Sequence, residues 1–324
     1  MKTEKRKNQM QTLVFEGILT ALSSISHNGG QSFGVNSKLR REKFVQPDHS
    51  VEDIPVLSGN GMRGMLRDRG MAHMCRVLGY GENGSGLSLP AFHFLFSGGS
   101  LTSGKSIDIA EARRMRALIP LVGVFGGALG NSILPGILKC GKAIPICRET
   151  AHLIPSRFIP EKVASIWDYI QEEMYTRKDD SKNERLRRNL DSLSRMMLEA
   201  NDVQNSSKSA TAPVEETGVS TQMMYYSETI VAGTQLYWKI VLDDATDLEF
   251  EAFLQCLIEF SKTPYVGGKS NVGMGEVAIN FDSWVRIDSR LDTGTSVAAP
   301  IGRLYHEHIK TNAEAIRVSL NGVK

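Results

Sequence analysis

Two periods of apolar residues run along this chain, and each predicts a different kind of element. The run Leu13–Leu22 (LVFEGILTAL) carries apolar side chains on both alternating faces, which suits a central strand. Gly233–Leu242 (GTQLYWKIVL) alternates cleanly, with Leu236, Trp238, Ile240 and Leu242 on one face. Helical spacing separates these strands. Ser58 is a good N-cap for a helix to about Leu78, in which Met62, Met65 and Leu66 turn toward a core while Asn60, Arg63 and Arg67 share another face. Thr246 and Glu249 make a capping-box pattern for a helix striped by Phe250, Phe253, Leu254 and Leu257, which Pro264 ends. Pro160 to about Glu199 predicts a charged helical insertion, with Val163, Ile166, Trp167 and Ile170 at helical spacing, and Asn201–Gly218 predicts a polar loop. Gly267–Gly275 is a tight loop feeding a last strand, Glu276–Val285.

Without the insertions the order is strand, helix, two strands' worth of apolar chain, strand, helix, strand. That order predicts an α+β fold, a ferredoxin-like (RRM-like) layer with helices on one face of an antiparallel sheet. The uncharged stretch Ala117–Leu138 is long enough to span a membrane, but Pro120, Pro135 and its glycines predict buried strands and turns instead. With 38 basic and 36 acidic residues in 324, the net charge is only +2. Nucleic-acid binding must therefore come from clustered cations, such as Lys38, Arg40, Arg41 and Lys43. Cys75, Cys140, Cys147 and Cys256 form no C-x-x-C pair, and the basic start lacks a signal peptide's apolar core. Reduced thiols in a cytoplasmic protein are expected, with no metal site at Cys140, Cys147 and His152 or at His306 and His308.

Two glycine-rich segments carry candidate chemistry. Gly99–Ser106 (GSLTSGKS) matches the phosphate-loop pattern, with Lys105 as its lysine, and Ile240–Asp244 has the look of a magnesium-binding strand end. A nucleoside triphosphatase would need parallel strand–helix alternation around it, which the pattern lacks. The other segment, Gly267, Gly268, Lys269, Ser270, Asn271, Gly273 and Gly275, follows a helix and precedes a strand. Its glycines admit a ligand close to the main chain, Lys269 supplies charge, and Ser270 and Asn271 supply hydrogen bonds. Tyr225 and Tyr226 fit core packing better than base stacking, and Met223 and Met224 carry no assignment.

The loop V-G-G-K-S-N-V-G-M-G-E-V from Val266 resembles the glycine-rich signature of the RAMP superfamily of CRISPR proteins. S-G-N-G-M-R-G-M-L-R, from Ser58 to Arg67, is similar to that family's first-helix motif, and H-N-G-G, from His27 to Gly30, to the glycine pair after its first strand. V-F-G-G-A-L-G from Val124 and V-A-G-T-Q-L from Val231 look like its strand-edge elements. The spacers and helical insertion resemble a type IV backbone subunit more than the compact type III protein.

The resemblance implies one RAMP-type domain over residues 1–324: a ferredoxin-like palm, a finger at about 27–53, an insertion at 80–116, and a helical segment, loop and thumb at about 155–225. It implies a non-catalytic subunit that packs head to tail along a guide RNA, beside other effector subunits, and presents bases to a complementary target. It needs no cofactor and no membrane. The motifs that carry it give His27, Asn28, Gly29, Gly30, Ser58, Asn60, Arg63, Arg67, Gly267, Gly268, Lys269, Ser270 and Asn271 as the expected RNA-binding residues, and the basic cluster adds Arg40, Arg41 and Lys43 as a finger contact, for which an ordinary solvated charged loop is the alternative. Type III members carry a cleaving aspartate just after the glycine pair. Here Gln31 and Ser32 stand there, and Asp48 and Asp53 are the nearby carboxylates, read as turn residues. The alternatives are a metal-dependent, target-cleaving subunit of the type III kind and a phosphate-loop nucleoside triphosphatase acting through Gly99–Ser106.

Overall fold

Strand β1 (Gln11–Ala21) buries Leu13, Phe15 and Leu19 on one face and leaves Val14, Glu16 and Ile18 half-covered on the other. The computed structural model describes residues 10–33, 36–81, 86–99, 109–177, 223–286 and 303–323. After β1 come β2 (Asn28–Phe33), β3 (Asn36–Leu39), β4 (Arg41–Val45) and β5 (Val51–Pro55). Helix α1 (Gly59–Val77) begins where expected, because Ser58 Oγ accepts a hydrogen bond from the Gly61 N–H at 3.1 Å.

Helix α2 (Leu89–Phe92) runs into a π-turn at His93–Ser97, followed by α3 (Ile109–Leu118) and α4 (Pro120–Phe125). The uncharged stretch is thus a short buried helix and a hairpin of β6 (Gly127–Leu129) and β7 (Ser132–Leu134), where strands and turns alone were expected. Proline at its start favours α4, and Gly126 (φ 66°) ends it. No helix among the described residues is long and apolar enough to cross a membrane.

Strands β8 (Leu138–Cys140) and β9 (Ile144–Pro145) precede the region expected to be helical. Its described part, 160–177, contains only a 3-10 turn at Ile166–Tyr169 and strand β10 (Ile170–Arg177), and the rest of the expected helix lies outside the described residues. The apolar residues there serve different cores. Val163 packs with Ile146, Phe158 and Tyr237, while Ile166 packs with Ile54 and Cys147. Pairing with β11 (Met223–Ile230) then satisfies the backbone of β10.

Strand β12 (Gln235–Ala245) buries Leu236, Trp238, Ile240 and Leu242 completely. Thr246 and Glu249 form the expected reciprocal capping box of α5 (Asp247–Lys262). Strand β13 (Val277–Arg286), α6 (Arg303–Thr311) and α7 (Ala313–Asn321) complete the chain.

The main sheet has the antiparallel order β13-β1-β12-β8, with β9 also on β12. Read as β1-α1-β8-β12-α5-β13, its four strands lie in the order fourth, first, third, second. That is the ferredoxin-like arrangement. Helices α1 and α5 share its buried face, where the Phe15 ring sits 5.3 Å from that of Phe253. A second sheet, β10-β11-β3-β2, joins residues on either side of α1 in sequence, with β11 and β3 parallel. Bridges from Ile25 to Ile230 and from Ser26 to Gly268 tie this sheet and the glycine-rich loop to the end of β1.

Candidate nucleic-acid interface

The glycine-rich loop is held against the chain that leaves β1. Gly268 N–H donates to Ser26 O at 2.7 Å, Gly275 N–H to Ser24 O at 2.8 Å, and Val266 N–H to Gly275 O at 2.8 Å. Gly267 (φ 77°) fits because a Cβ there would overlap the Ser26 carbonyl. Lys269 is itself left-handed (φ 61°), and a 3-10 turn at Ser270–Val272 follows before Gly273 (φ 85°). The loop turns Gly267, Gly268, Ser270 and Asn271 to solvent while buried Val266 anchors it. Lys269 is half-buried and acts on Glu173 of β10. Burial opposes the charge of Glu173, but hydrogen bonds from Ser24, Gln171 and Thr229, aided by Lys269, hold its carboxyl below the usual range.

His27 joins this loop to the start of α1. Its Nε2 accepts from the Ser58 N–H at 3.1 Å and lies 3.2 Å from Ser58 Oγ. Burial, helped by the charge of Arg40, lowers the imidazole pKa, so the neutral ring is the resident form at neutral pH. Arg40 N–H donates to His27 O at 2.8 Å, and Asn28 Oδ1 accepts from Ser26 Oγ at 3.2 Å. Between α1 and the loop opens a pocket of about 150 Å³ lined by His27, Gly61, Met62, Met65, Tyr265 and Gly267, among others. Tyr265 carried no signal in the sequence beyond following Pro264. Its place at the pocket comes from a backbone bridge to Glu276.

The fold therefore gathers His27, Asn28, Ser58, Asn60, Gly267 and Gly268 around the first turn of α1, with Arg40 bonded through its backbone, while Lys269, Ser270 and Asn271 continue the loop and Lys269 acts on Glu173 of β10. It uses the other expected cations differently. Arg63 donates to Phe125 O, and Arg67 donates to Phe125 O at 2.8 Å and to Gly126 O at 3.3 Å, its guanidinium 5.6 Å from the Phe125 ring centroid. Both arginines thus hold the C-terminal end of α4, where the helix dipole favours cations. Arg41 pairs with Glu228 at 3.2 Å and lies over the Trp167 ring. Lys43 is exposed on β4 opposite Asp53 of β5. Gly29, Gly30, Gln31 and Ser32 run within β2, and Lys38, on β3, lines a cleft of about 250 Å³ with Tyr226 and Glu228. Tyr226 is 37% exposed rather than buried, because β11 turns it away from the sheet face that covers Ser227 and Thr229.

Asp48 is a turn residue: its Oδ1 accepts from Ser50 N–H at 2.9 Å and from Ser50 Oγ at 2.6 Å at the β4–β5 hairpin tip. No group of three or more His, Cys, Asp or Glu among the described residues is arranged to hold a metal. Burial raises every thiol, Cys75 and Cys147 to about 11 and Cys140 to about 12, and raises Cys256 also. Of the phosphate-loop motif, Ser100–Ser106 with Lys105 lies outside the described residues, and the run before it is helical where such a loop requires a strand.

These features define an α+β protein on a ferredoxin-like core, with a glycine-rich loop, a capped helix start and a neutral histidine converging on one surface. No protein-family model matches the sequence, and no curated protein matches it. A solved chain titled "Type IV-B CRISPR Complex" superposes with a TM-score of 0.52 at 23% identity, covering 90% of this chain and 96% of that one. The likeness is one of fold over nearly the whole of both chains.

Proposed function

We propose that this protein is a non-catalytic guide-RNA-binding subunit of a multi-subunit CRISPR effector complex of type IV. The observation that carries this reading is the glycine-rich loop. Its exposed main chain at Gly267 and Gly268 lies close to the first turn of α1, with half-buried Lys269 following it, on a fold shared with a chain of such a complex. Backbone amides and a cation recognise phosphate without reading sequence, which is what a subunit that accepts any guide requires. Copies pack head to tail through a heterologous contact, which propagates where a two-fold contact would close. Other effector subunits and a complementary target strand complete the assembly in the cytoplasm. The test is to identify what co-purifies with the full-length protein and to titrate salt. RNA is expected, with Lys269→Ala lowering the slope of log affinity against log salt by about 0.7 to 1. Protein free of nucleic acid that also fails to bind added RNA at low salt overturns the reading.

A further inference from the structure

The one cation of the glycine-rich loop is turned away from the surface that the loop exposes. Gly267, Gly268, Ser270 and Asn271 face solvent, yet the Lys269 Nζ is buried. The residue is left-handed (φ 61°), a conformation that favours glycine, so the chain keeps a lysine there against its backbone preference. A continuous set of bonds joins the loop to β10 and β11. Gly275 N–H donates to Ser24 O, Gln171 Nε2 donates to Ser24 Oγ at 3.2 Å, and Ile25 bridges to Ile230. Gln171 also donates to Glu173 Oε1 at 2.9 Å, and Thr229 Oγ1 donates to the same oxygen at 3.1 Å. Lys269 acts on this fixed carboxylate by its charge. The layer around the pair is polar: buried Ser227 lies opposite Glu173 in the sheet, and Ser37 opposite Ser227.

We infer that Glu173 is the resident counter-ion of Lys269 and a positioning residue for RNA binding, drawing the lysine under the loop until a phosphate of the bound strand displaces it. The inference rests on the RNA-binding reading. A phosphate on the exposed main chain of Gly267 and Gly268 lies on the solvent side of the loop, so the Nζ must leave Glu173 to meet it. The exchange replaces one anion by another, and the carboxylate left behind keeps its donors, Gln171 and Thr229. Part of the attraction between lysine and phosphate is thereby offset by the internal pair. The free protein consequently binds RNA less tightly than its cations alone would allow.

The experiment is a double-mutant cycle on the full-length protein, reading the affinity for one unstructured RNA at fixed salt. Glu173→Gln removes the charge and keeps the Oε1 to which Gln171 and Thr229 donate. It is expected to bind RNA about fivefold more tightly, the upper end for an ion pair within reach of solvent. In a Lys269→Ala background the same substitution should change affinity by less than about twofold, because only screened, long-range charge remains. Glu172→Gln, which removes an exposed carboxylate on the opposite face of β10, should likewise stay under about twofold. In parallel, acetylation of the free protein, followed by mass spectrometry, is expected to label Lys269 more slowly than exposed Lys43 in the wild type and faster in Glu173→Gln. Equal gains from Glu173→Gln in both backgrounds, or weaker binding by Glu173→Gln, overturns the inference while RNA binding stands. Lys269 labelled as fast as Lys43 in the wild type overturns it without recourse to any variant. A wild type that binds no RNA overturns the RNA-binding reading, and the displacement with it.

Discussion

Arg63 and Arg67 sit four residues apart on α1, and their guanidiniums meet on the same carbonyl, that of Phe125. Burial and the neighbouring Arg63 charge both lower the pKa of Arg67, a cost that the carbonyls of Phe125 and Gly126 offset. Substituting either arginine by alanine is expected to cost about 1.5–3 kcal/mol of stability, the usual worth of a charge-assisted hydrogen bond. The salt slope of RNA binding should move with Lys269→Ala and stay with Arg67→Ala, so paired denaturant melts and salt titrations separate the two roles. His27 supplies a second prediction. Its folded pKa lies below the unfolded 6.5, so the folded state binds the proton less well. Its contribution is present above pH 6.5 and is lost as pH falls through the lowered folded value, when Nε2 can no longer accept from Ser58. Thermal melts between pH 7.5 and 5 should show this loss in the wild type and a smaller one in His27→Gln.

At the scale of elements, α1 and α5 form a seam that is close-packed at one end and charged at the other. Gly70 lies against Cys256 so tightly that a Cβ would overlap the Sγ. Gly70→Ala therefore forces the helices apart and should cost about 1–3 kcal/mol, the range for overpacking, read as a lower urea midpoint with an unchanged slope. At the other end Glu259 accepts from Arg76 and Lys262, each at 2.6 Å, with His73 Nδ1 3.0 Å away. Burial opposes its charge, yet these partners win and bring the carboxyl down to about 2 from 4.5. The folded state thus favours the carboxylate, which stabilises above pH 4.5 and ceases to as pH falls through 2. Glu259→Gln should flatten the acid limb of the stability curve between those values, in a series of denaturant melts.

For the whole molecule, the nearly balanced charge allows copies to sit side by side without strong mutual repulsion. If copies line a guide, the mass per complex should rise in steps as the RNA is lengthened, which native mass spectrometry reads directly. One protein per RNA at every length is the contrary result. The assembled complex should also bind a complementary strand and leave it intact in magnesium or manganese. Neither Gln31 nor Ser32 is anionic, and Asp48 is engaged with Ser50. Regular cuts abolished by Asp48→Ala or Asp53→Ala would reveal a cleaving subunit.

The elements of the core were legible in the chain because their signals are local. The alternation in β12, the Ser58 cap, the Thr246–Glu249 box and the stop at Pro264 act through side chains a few residues apart. Local periodicity misled at 160–177, where helical spacing describes residues that enter two separate cores and a strand whose partner, β11, lies some fifty residues on. The site divides along the same line. Glycines, Lys269 and the helix start were readable as residue types. Composition made Arg63, Arg67 and Arg41 look equivalent to Lys269, and only the arrival of Phe125, Gly126, Glu228 and Trp167 beside them fixed what each guanidinium does. A cation's role depends on the acceptors that the fold brings within about 3 Å of it, and no spacing along one chain encodes those acceptors.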